Sequence, residues 1–297
     1  MKAPTIGLAP LPSLLVESAV AAALAEDLGL IGDITSNATI PEEARAQGVI
    51  ASRKAGVVSG VQLAHAAFRQ LDPGCRFDVV ADDGARVKAG DVVARIAGNA
   101  RAVLSAERVA LNYMGRMSGI ATLTRQYVDA VAGTKVRIVD TRKTTPGLRA
   151  FEKYAVRCGG GHNHRTGLFD AVLIKDNHIV AAGGVEQAVA AARQTAGHMV
   201  KIEVEIDTLD QLDTVLKYSV DAVLLDNMTT AQLKEAVKRI DGRCLAEASG
   251  GVNLDTVGAI AKTGVDLISV GALTHSAPVL DLGLDFSAQS TKRTLTA

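Results

Sequence analysis

The sequence predicts an α/β protein whose C-terminal half forms a parallel α/β barrel, and three observations carry that expectation. Six short apolar runs recur between residues 136 and 270: Val136–Val139, Ala171–Ile174, Ile202–Val204, Ala222–Leu225, Cys244–Ala246 and Leu267–Val270. Ala-rich stretches of helical character separate the later runs, over 184–195, 209–218, 230–240 and 254–263. Each run stops at functional polar or glycine residues: Asp140-Thr141-Arg142-Lys143, Lys175-Asp176-Asn177-His178, Glu205, Asp226, Glu247-Ala248-Ser249-Gly250-Gly251 and Gly271. Strand–helix alternation argues for a parallel sheet. A different group at each strand end favours a barrel over an open doubly wound sheet, because a barrel gathers its site from many strand ends. The repeat fills only about half of the chain, short of the ~250 residues of an eight-unit barrel. The barrel is therefore incomplete or borrows cover from elsewhere.

Ahead of the repeat, Met1–Pro12 reads as a loose, proline-interrupted lead-in. Ser13 is placed to cap a helix whose apolar stripe runs through Leu15, Val16, Val20, Leu24 and Leu28 until Gly29 stops it. Gly32-Asp33-Ile34-Thr35-Ser36 reads as a turn whose side chains bond to backbone rather than to a ligand. Residues 48–96 are β-rich around a helix over 62–70, with a glycine-permitted turn at 83–91, and form a separate α/β layer. Two helices, Ser105 through Met117 and Ile120–Val131, then lead to the first barrel strand. Periodicity alone makes Glu107 and Arg108 ordinary surface residues. Asp281–Phe286 reads as a strand or short helix that packs back on the N-terminal part, ahead of a polar, frayed tail over 287–297.

Composition excludes several classes. No apolar run approaches the ~18 residues of a membrane span, and the start lacks a signal-peptide core. Tryptophan is absent and aromatics make up 3% of the chain, which leaves no stacking platform for nucleic acid. Three cysteines without close pairing fit a reduced, cytoplasmic setting.

The chemistry concentrates between residues 136 and 180. Arg142, Lys143, Arg149, Lys153, Arg157, Arg165 and Lys175 outnumber the acids of that stretch, although the whole chain has a formal net charge of +0. A local excess of cations in a neutral protein points to a small, strongly anionic ligand. His162, His164 and His178 invite a metal reading, but the His-x-His pair follows three glycines and lacks further spaced histidines. Lys175, ending a strand, is a candidate Schiff-base lysine; the surrounding arginines suit carboxylates and phosphates better. Glu205 and Asp226, ending adjacent strands, can bind Mg²⁺, stabilise a developing cation, or simply balance nearby lysines. Ser249-Gly250-Gly251 and Val270-Gly271-Ala272 suit a phosphate held by backbone N–H groups.

The segments DTRKTTPGLR, GGGHNHR, LIKDNHI, EVE, LLDN, SGG and VGALTHS, in this order, resemble the quinolinate phosphoribosyltransferase family, as do GDITS and AERVALN…GRMSGIAT. The resemblance implies an N-terminal α/β sandwich over 1–117, completed by 273–297, and an incomplete α/β barrel over 118–272. It implies transfer of a phosphoribosyl group from phosphoribosyl pyrophosphate to quinolinate with loss of CO₂ and use of Mg²⁺, in de novo NAD synthesis. On the matching positions, Arg142, His164, Arg165 and Lys175 bind the quinolinate carboxylates, joined by Arg108 from the partner subunit of a homodimer. Thr141 lies among the substrate-binding positions, Lys143 meets the pyrophosphate, Glu205 and Asp226 meet ribose and metal, and the two glycine loops take the 5′-phosphate. A molybdenum-transport-associated relative of the same fold is the alternative within the superfamily, a Schiff-base barrel aldolase using Lys175 the alternative enzyme class, and a non-catalytic phosphosugar-binding oligomer the non-enzyme reading.

Overall fold

The computed structural model describes residues 8–288. The expectations for the start of the lead-in (1–7) and the end of the tail (289–297) lie outside the described residues. The chain divides into two units: 1–122 with 157–159 and 277–297, and 123–156 with 160–276.

The first unit begins with α1 (Ser13–Leu28), which buries Val16, Val20 and Leu24. Its N-cap is Pro12 rather than Ser13: the Pro12 carbonyl accepts the Leu15 N–H at 3.0 Å and the Val16 N–H at 3.2 Å. Gly29, at φ 54°, ends it. Asp33 caps α2 (Ile34–Thr39) by accepting the Ser36 N–H at 2.9 Å, so the expected turn is the entrance to one short helix. There follow β1 (Arg45–Ser52), β2 (Gly56–Val57), α3 (Val61–Leu71), β3 (Arg76–Val79), β4 (Arg86–Val87), β5 (Val92–Asn99) and α4 (Ala100–Ala130). The two helices expected over 105–131 are this one unbroken α4. Gly115 and Gly119 do not break it; they let another segment come close. A Cβ on Gly119 would sit 2.0 Å from the Pro278 carbonyl oxygen, and one on Gly115 would sit 2.8 Å from Val279.

The second unit holds β6 (Arg137–Val139), α5 (Arg149–Cys158), β7 (Val172–Ile174), α6 (Asp176–Ala182), α7 (Val185–Thr195), β8 (Ile202–Ile206), α8 (Leu209–Val215), β9 (Ala222–Asp226), α9 (Thr230–Ile240), β10 (Leu245–Ser249), α10 (Val257–Ala261), β11 (Leu267–Ser269) and α11 (Ala272–His275). Residues 123–130 of α4 also belong to this unit, and the last two residues of α5 fall in the first. The strand order is β6-β11-β10-β9-β8-β7, all parallel where paired. The last strand thus pairs with the first, which a sequentially wound sheet achieves only by curling into a barrel. The ring is incomplete because β6 and β7 do not pair. In that gap His162 bridges to Val139, its N–H donating to the Ile138 carbonyl at 2.8 Å.

The strand alternation divides two faces. Ile138, Ile202, Val204, Ile206, Val223, Leu225, Ala246, Ala248 and Ile268 are all buried, as the outer face of a helix-covered barrel requires. The other face carries Glu203, Glu205, Leu224, Asp226, Glu247 and Ser249.

In the first unit β12 (Leu282–Ala288) pairs antiparallel with β1, giving the sheet order β12-β1-β5-β3. Of the two expectations for 281–286, strand is the one that forms.

Candidate active site

The site residues of the second unit belong to strand ends and to two loops, 140–148 after β6 and 161–167 ahead of β7. Register puts Glu205 beside Leu224, and Asp226 stands two residues further along β9 on the same face. Both carboxylates are half-buried. Lys175, immediately after β7, places its ammonium on the Glu205 carboxylate.

Arg142 and Arg165 come from the two loops. The Arg142 Nε is buried without a hydrogen-bond partner. Burial, and then the charge of Arg142, lowers the Arg165 pKa from its ordinary value, so the two guanidiniums stand near enough to repel. A buried guanidinium nitrogen without an acceptor, beside a second cation, is a place for an anion.

The loops are tied together from beneath. Asp140 is fully buried; its carboxylate takes the Lys153 ammonium, accepts the Asn163 side-chain amide at 2.6 Å and accepts the His164 backbone N–H at 2.9 Å. Lys153, one of the cations counted toward an anionic ligand, is therefore occupied inside the protein. So is Arg149, which donates to the Thr144 hydroxyl at 2.9 Å and to the Thr166 carbonyl at 3.1 Å. These contacts come from α5, a helix the sequence reading did not separate from the basic run around it.

Lys143 is exposed, and Thr141 accepts its backbone N–H at 3.1 Å. The Lys143 stem lies against Gly271, where an added Cβ would stand 3.1 Å from its Cδ, and the Lys143 carbonyl accepts the Thr274 hydroxyl at 2.7 Å. The side chain thus runs past one of the two candidate phosphate loops. In that loop Val270 is corrected: its N–H donates to the Val139 carbonyl at 2.9 Å and is not free for a phosphate. Gly271 and Ala272 remain half-buried. In the other loop Gly250 has φ +88°, and a Cβ there would fall 2.1 Å from the Asn227 amide oxygen. The Asn227 amide nitrogen in turn donates to Asp226 at 2.8 Å.

His164 is held by its neighbours. Its Nδ1 accepts the Arg165 N–H at 2.8 Å, and its Nε2 faces Glu203 at 2.9 Å and Glu247 at 3.6 Å. Glu203 and Glu247 sit on the same sheet face as Glu205 and Ser249, two residues deeper, and the sequence reading missed both as site residues. The signal was present: acids at alternate positions of a buried strand, IEVEI, and a lone acid inside LAEAS. Burial, followed by the neighbouring Glu203 charge, pushes the Glu247 carboxyl up to about 8. Burial works against charge on His164, yet Glu203 and Glu247 outweigh it and raise its proton affinity.

Two groups of side chains have donors for a metal. The nearest atoms of His164, Glu203 and Glu247 lie within 4.8 Å of one another, and there the His164 Nε2 is paired with the Glu203 carboxylate. Glu205 and Asp226, with hard oxygens at adjacent strand ends, fit Mg²⁺.

Arg108 belongs to the first unit, exposed on α4 between buried Ala106 and Val109.

Comparison with known proteins gives these features a common frame. The family models described as Quinolinate phosphoribosyl transferase match the chain with the N-terminal domain at residues 33–118 and the C-terminal domain at 120–285. The nicotinate-nucleotide pyrophosphorylase (carboxylating) of Mycobacterium leprae is 47% identical over 268 residues, covering 89% of this chain and 94% of its own. A probable enzyme of the same name from Bacillus subtilis is 44% identical over 260 residues, covering 88% and 89%. Among solved structures, NadC from Streptococcus pyogenes superposes with a TM-score of 0.92 at 38% identity, covering 95% of this chain and 100% of that one. The nicotinate-nucleotide pyrophosphorylase from Francisella tularensis gives 0.89 at 38% identity, covering 96% and 100%. With both family models matched and relatives of 44–47% identity covering most of its length, the chain belongs to the quinolinate phosphoribosyltransferase family.

Proposed function

We propose that this protein transfers the phosphoribosyl group of phosphoribosyl pyrophosphate to quinolinate, releasing pyrophosphate and CO₂ and forming nicotinate mononucleotide for NAD synthesis. The observation that supports this reading is the Lys175 ammonium on the Glu205 carboxylate at the strand ends, with Asp226 on the same face of the neighbouring strand. As pyrophosphate leaves, ribose C1 becomes oxocarbenium-like, and Asp226 and Glu205 stabilise that charge more than they stabilise the ground state. The pyridine nitrogen attacks C1; the cationic ring then stabilises the electron pair left on C2 when the 2-carboxylate departs as CO₂, and C2 takes a proton from solvent. Arg142, Arg165 and Lys175 hold the other carboxylate and orient the ring, leaving the departing one un-neutralised. His164 joins them, its Nδ1 holding the Arg165 N–H.

Glu205 and Asp226 hold Mg²⁺, which when bound neutralises charge on the pyrophosphate donor. Lys143 meets the pyrophosphate, and the loops at Gly250 and Gly271 take the 5′-phosphate. The working unit is a homodimer in which Arg108 of one subunit reaches the partner's site; its exposure on α4 supports this. Three free cysteines favour the reducing cytoplasm, and no described helix is long and apolar enough to cross a membrane. Neither the molybdenum-transport-associated reading nor the aldolase reading is favoured by the comparisons. The test is release of CO₂ and pyrophosphate requiring quinolinate, phosphoribosyl pyrophosphate and Mg²⁺ together. Absence of quinolinate-dependent CO₂ with all three present overturns the reading.

A further inference from the structure

We infer that Asp140, Lys153 and Asn163 form a buried brace that positions Arg142 and Arg165 as a pair of carboxylate clamps; the inference rests on the proposed quinolinate reaction. None of the three belongs to the substrate-contacting set. Arg142 and Arg165 sit on separate loops, and their charges repel. Each loop is nevertheless anchored at a residue one or two positions away. Asp140 lies two residues before Arg142, and Asn163 and His164 lie two residues and one before Arg165. The Asp140 carboxylate joins these anchors directly, through the Asn163 amide at 2.6 Å and the His164 N–H at 2.9 Å.

Lys153 completes the join. Its ammonium meets Asp140 and donates to the His164 carbonyl at 3.1 Å, while its own carbonyl accepts the Asn163 amide at 2.8 Å. Arg149 and Glu152, on the same face of α5, extend it. Arg149 links Thr144 to Thr166, and Glu152 accepts the Thr145 N–H at 3.0 Å and hydroxyl at 2.8 Å. One helix face therefore holds both basic loops. A buried ion pair adds little net stability but is costly to break, which suits it to fixing geometry. Misplacing a clamp by about 1 Å costs on the order of 10²-fold in rate or binding.

The test compares wild type with Asn163→Ala, which keeps the ion pair, and with the double variant Asp140→Asn/Lys153→Met, which leaves neither charge stranded. Thermal unfolding establishes that each variant is folded; quinolinate affinity is measured by calorimetry, and KM for each substrate by assay. The expected result is quinolinate Kd and KM raised at least ten-fold, with KM for phosphoribosyl pyrophosphate within two-fold of wild type. Restoring the amide as Asn163→Gln should recover part of the quinolinate affinity. Quinolinate affinity within two-fold of wild type in folded Asn163→Ala overturns the inference, as does equal weakening toward both substrates, which is a general structural effect. Wild-type protein that neither binds nor consumes quinolinate overturns the proposed function together with the brace's role in it.

Discussion

Lys175 illustrates how a residue's neighbours select among its chemistries. A Schiff-base lysine must present a free amine, whereas this ammonium lies on the Glu205 carboxylate. Borohydride with quinolinate and phosphoribosyl pyrophosphate should therefore trap no adduct; a stoichiometric adduct mapped to Lys175 would move the chemistry to the aldolase class. In the proposed reaction Asp226 serves the moment when ribose is cationic, so Asp226→Asn should lower kcat by about 10²–10³-fold while quinolinate Kd changes less than ~3-fold. Unchanged turnover would remove it from the reacting centre. Glu247 gives a pH signature. The unfolded chain loses this proton near 4.5, whereas the folded chain keeps it until about 8. The folded state thus binds more protons across that window, and stability falls as pH rises through it, by at most ~1.4 kcal/mol per pH unit. Glu247→Gln, neutral throughout, should lose less Tm than wild type between pH 5 and 8; parallel declines would refute the assignment. At this scale Glu205 and Asp226 were legible because each closes an apolar run. Lys153 was not: a buried lysine and a ligand-binding one look alike until a partner such as Asp140, thirteen positions away, is brought to it.

At the scale of elements, strands and their order of chemistry were legible from the apolar runs, and α9 spans the very residues expected of it, Thr230–Ile240. What escaped was α5, because a helix with Arg149, Lys153 and Arg157 on it reads as a charge run when its buried face includes Glu152 and Lys153. The continuity of α4 escaped for the opposite reason. Glycines that suggest an interruption were selected for close approach by residues 278–279. The loop after β10 shows a glycine with a single permitted shape. At φ +88°, and with Asn227 2.1 Å from any added Cβ, Gly250→Ala must shift Asn227, which bonds to Asp226. The expected outcome is at least a ten-fold higher KM for phosphoribosyl pyrophosphate and a smaller change for quinolinate. A variant with both constants at wild-type values would show that this loop does not meet the phosphate.

For the whole molecule, the decisive question is whether a site is made by one chain or two. Arg108 is exposed in a different unit from the strand-end residues, and the homodimer proposed above lets it serve a neighbour's site. Arg108→Ala and Asp226→Asn proteins, each nearly inactive, should then complement when mixed. Random exchange of equal amounts makes about half the dimers mixed, each with one intact site, so activity should recover to roughly a quarter of wild type. Demonstrated exchange without recovery would mean that Arg108 acts within its own chain. The sequence alone could raise this only through family resemblance, because nothing in the periodicity of α4 distinguishes a donated arginine from a solvated one.

The gap between β6 and β7 has a consequence for the mechanics of the barrel. A fully paired ring is a hoop, and tension at any point is shared around its circumference. Here the hoop is cut, and the cut is bridged by His162 against Val139 and by the Arg165 guanidinium on the Ala171 carbonyl at 3.3 Å. In the function proposed above, the stretch that latches the hoop also presents a cation to the substrate. Quinolinate binding is then expected to slow hydrogen exchange along β7, and unchanged exchange would separate the latch from the clamp.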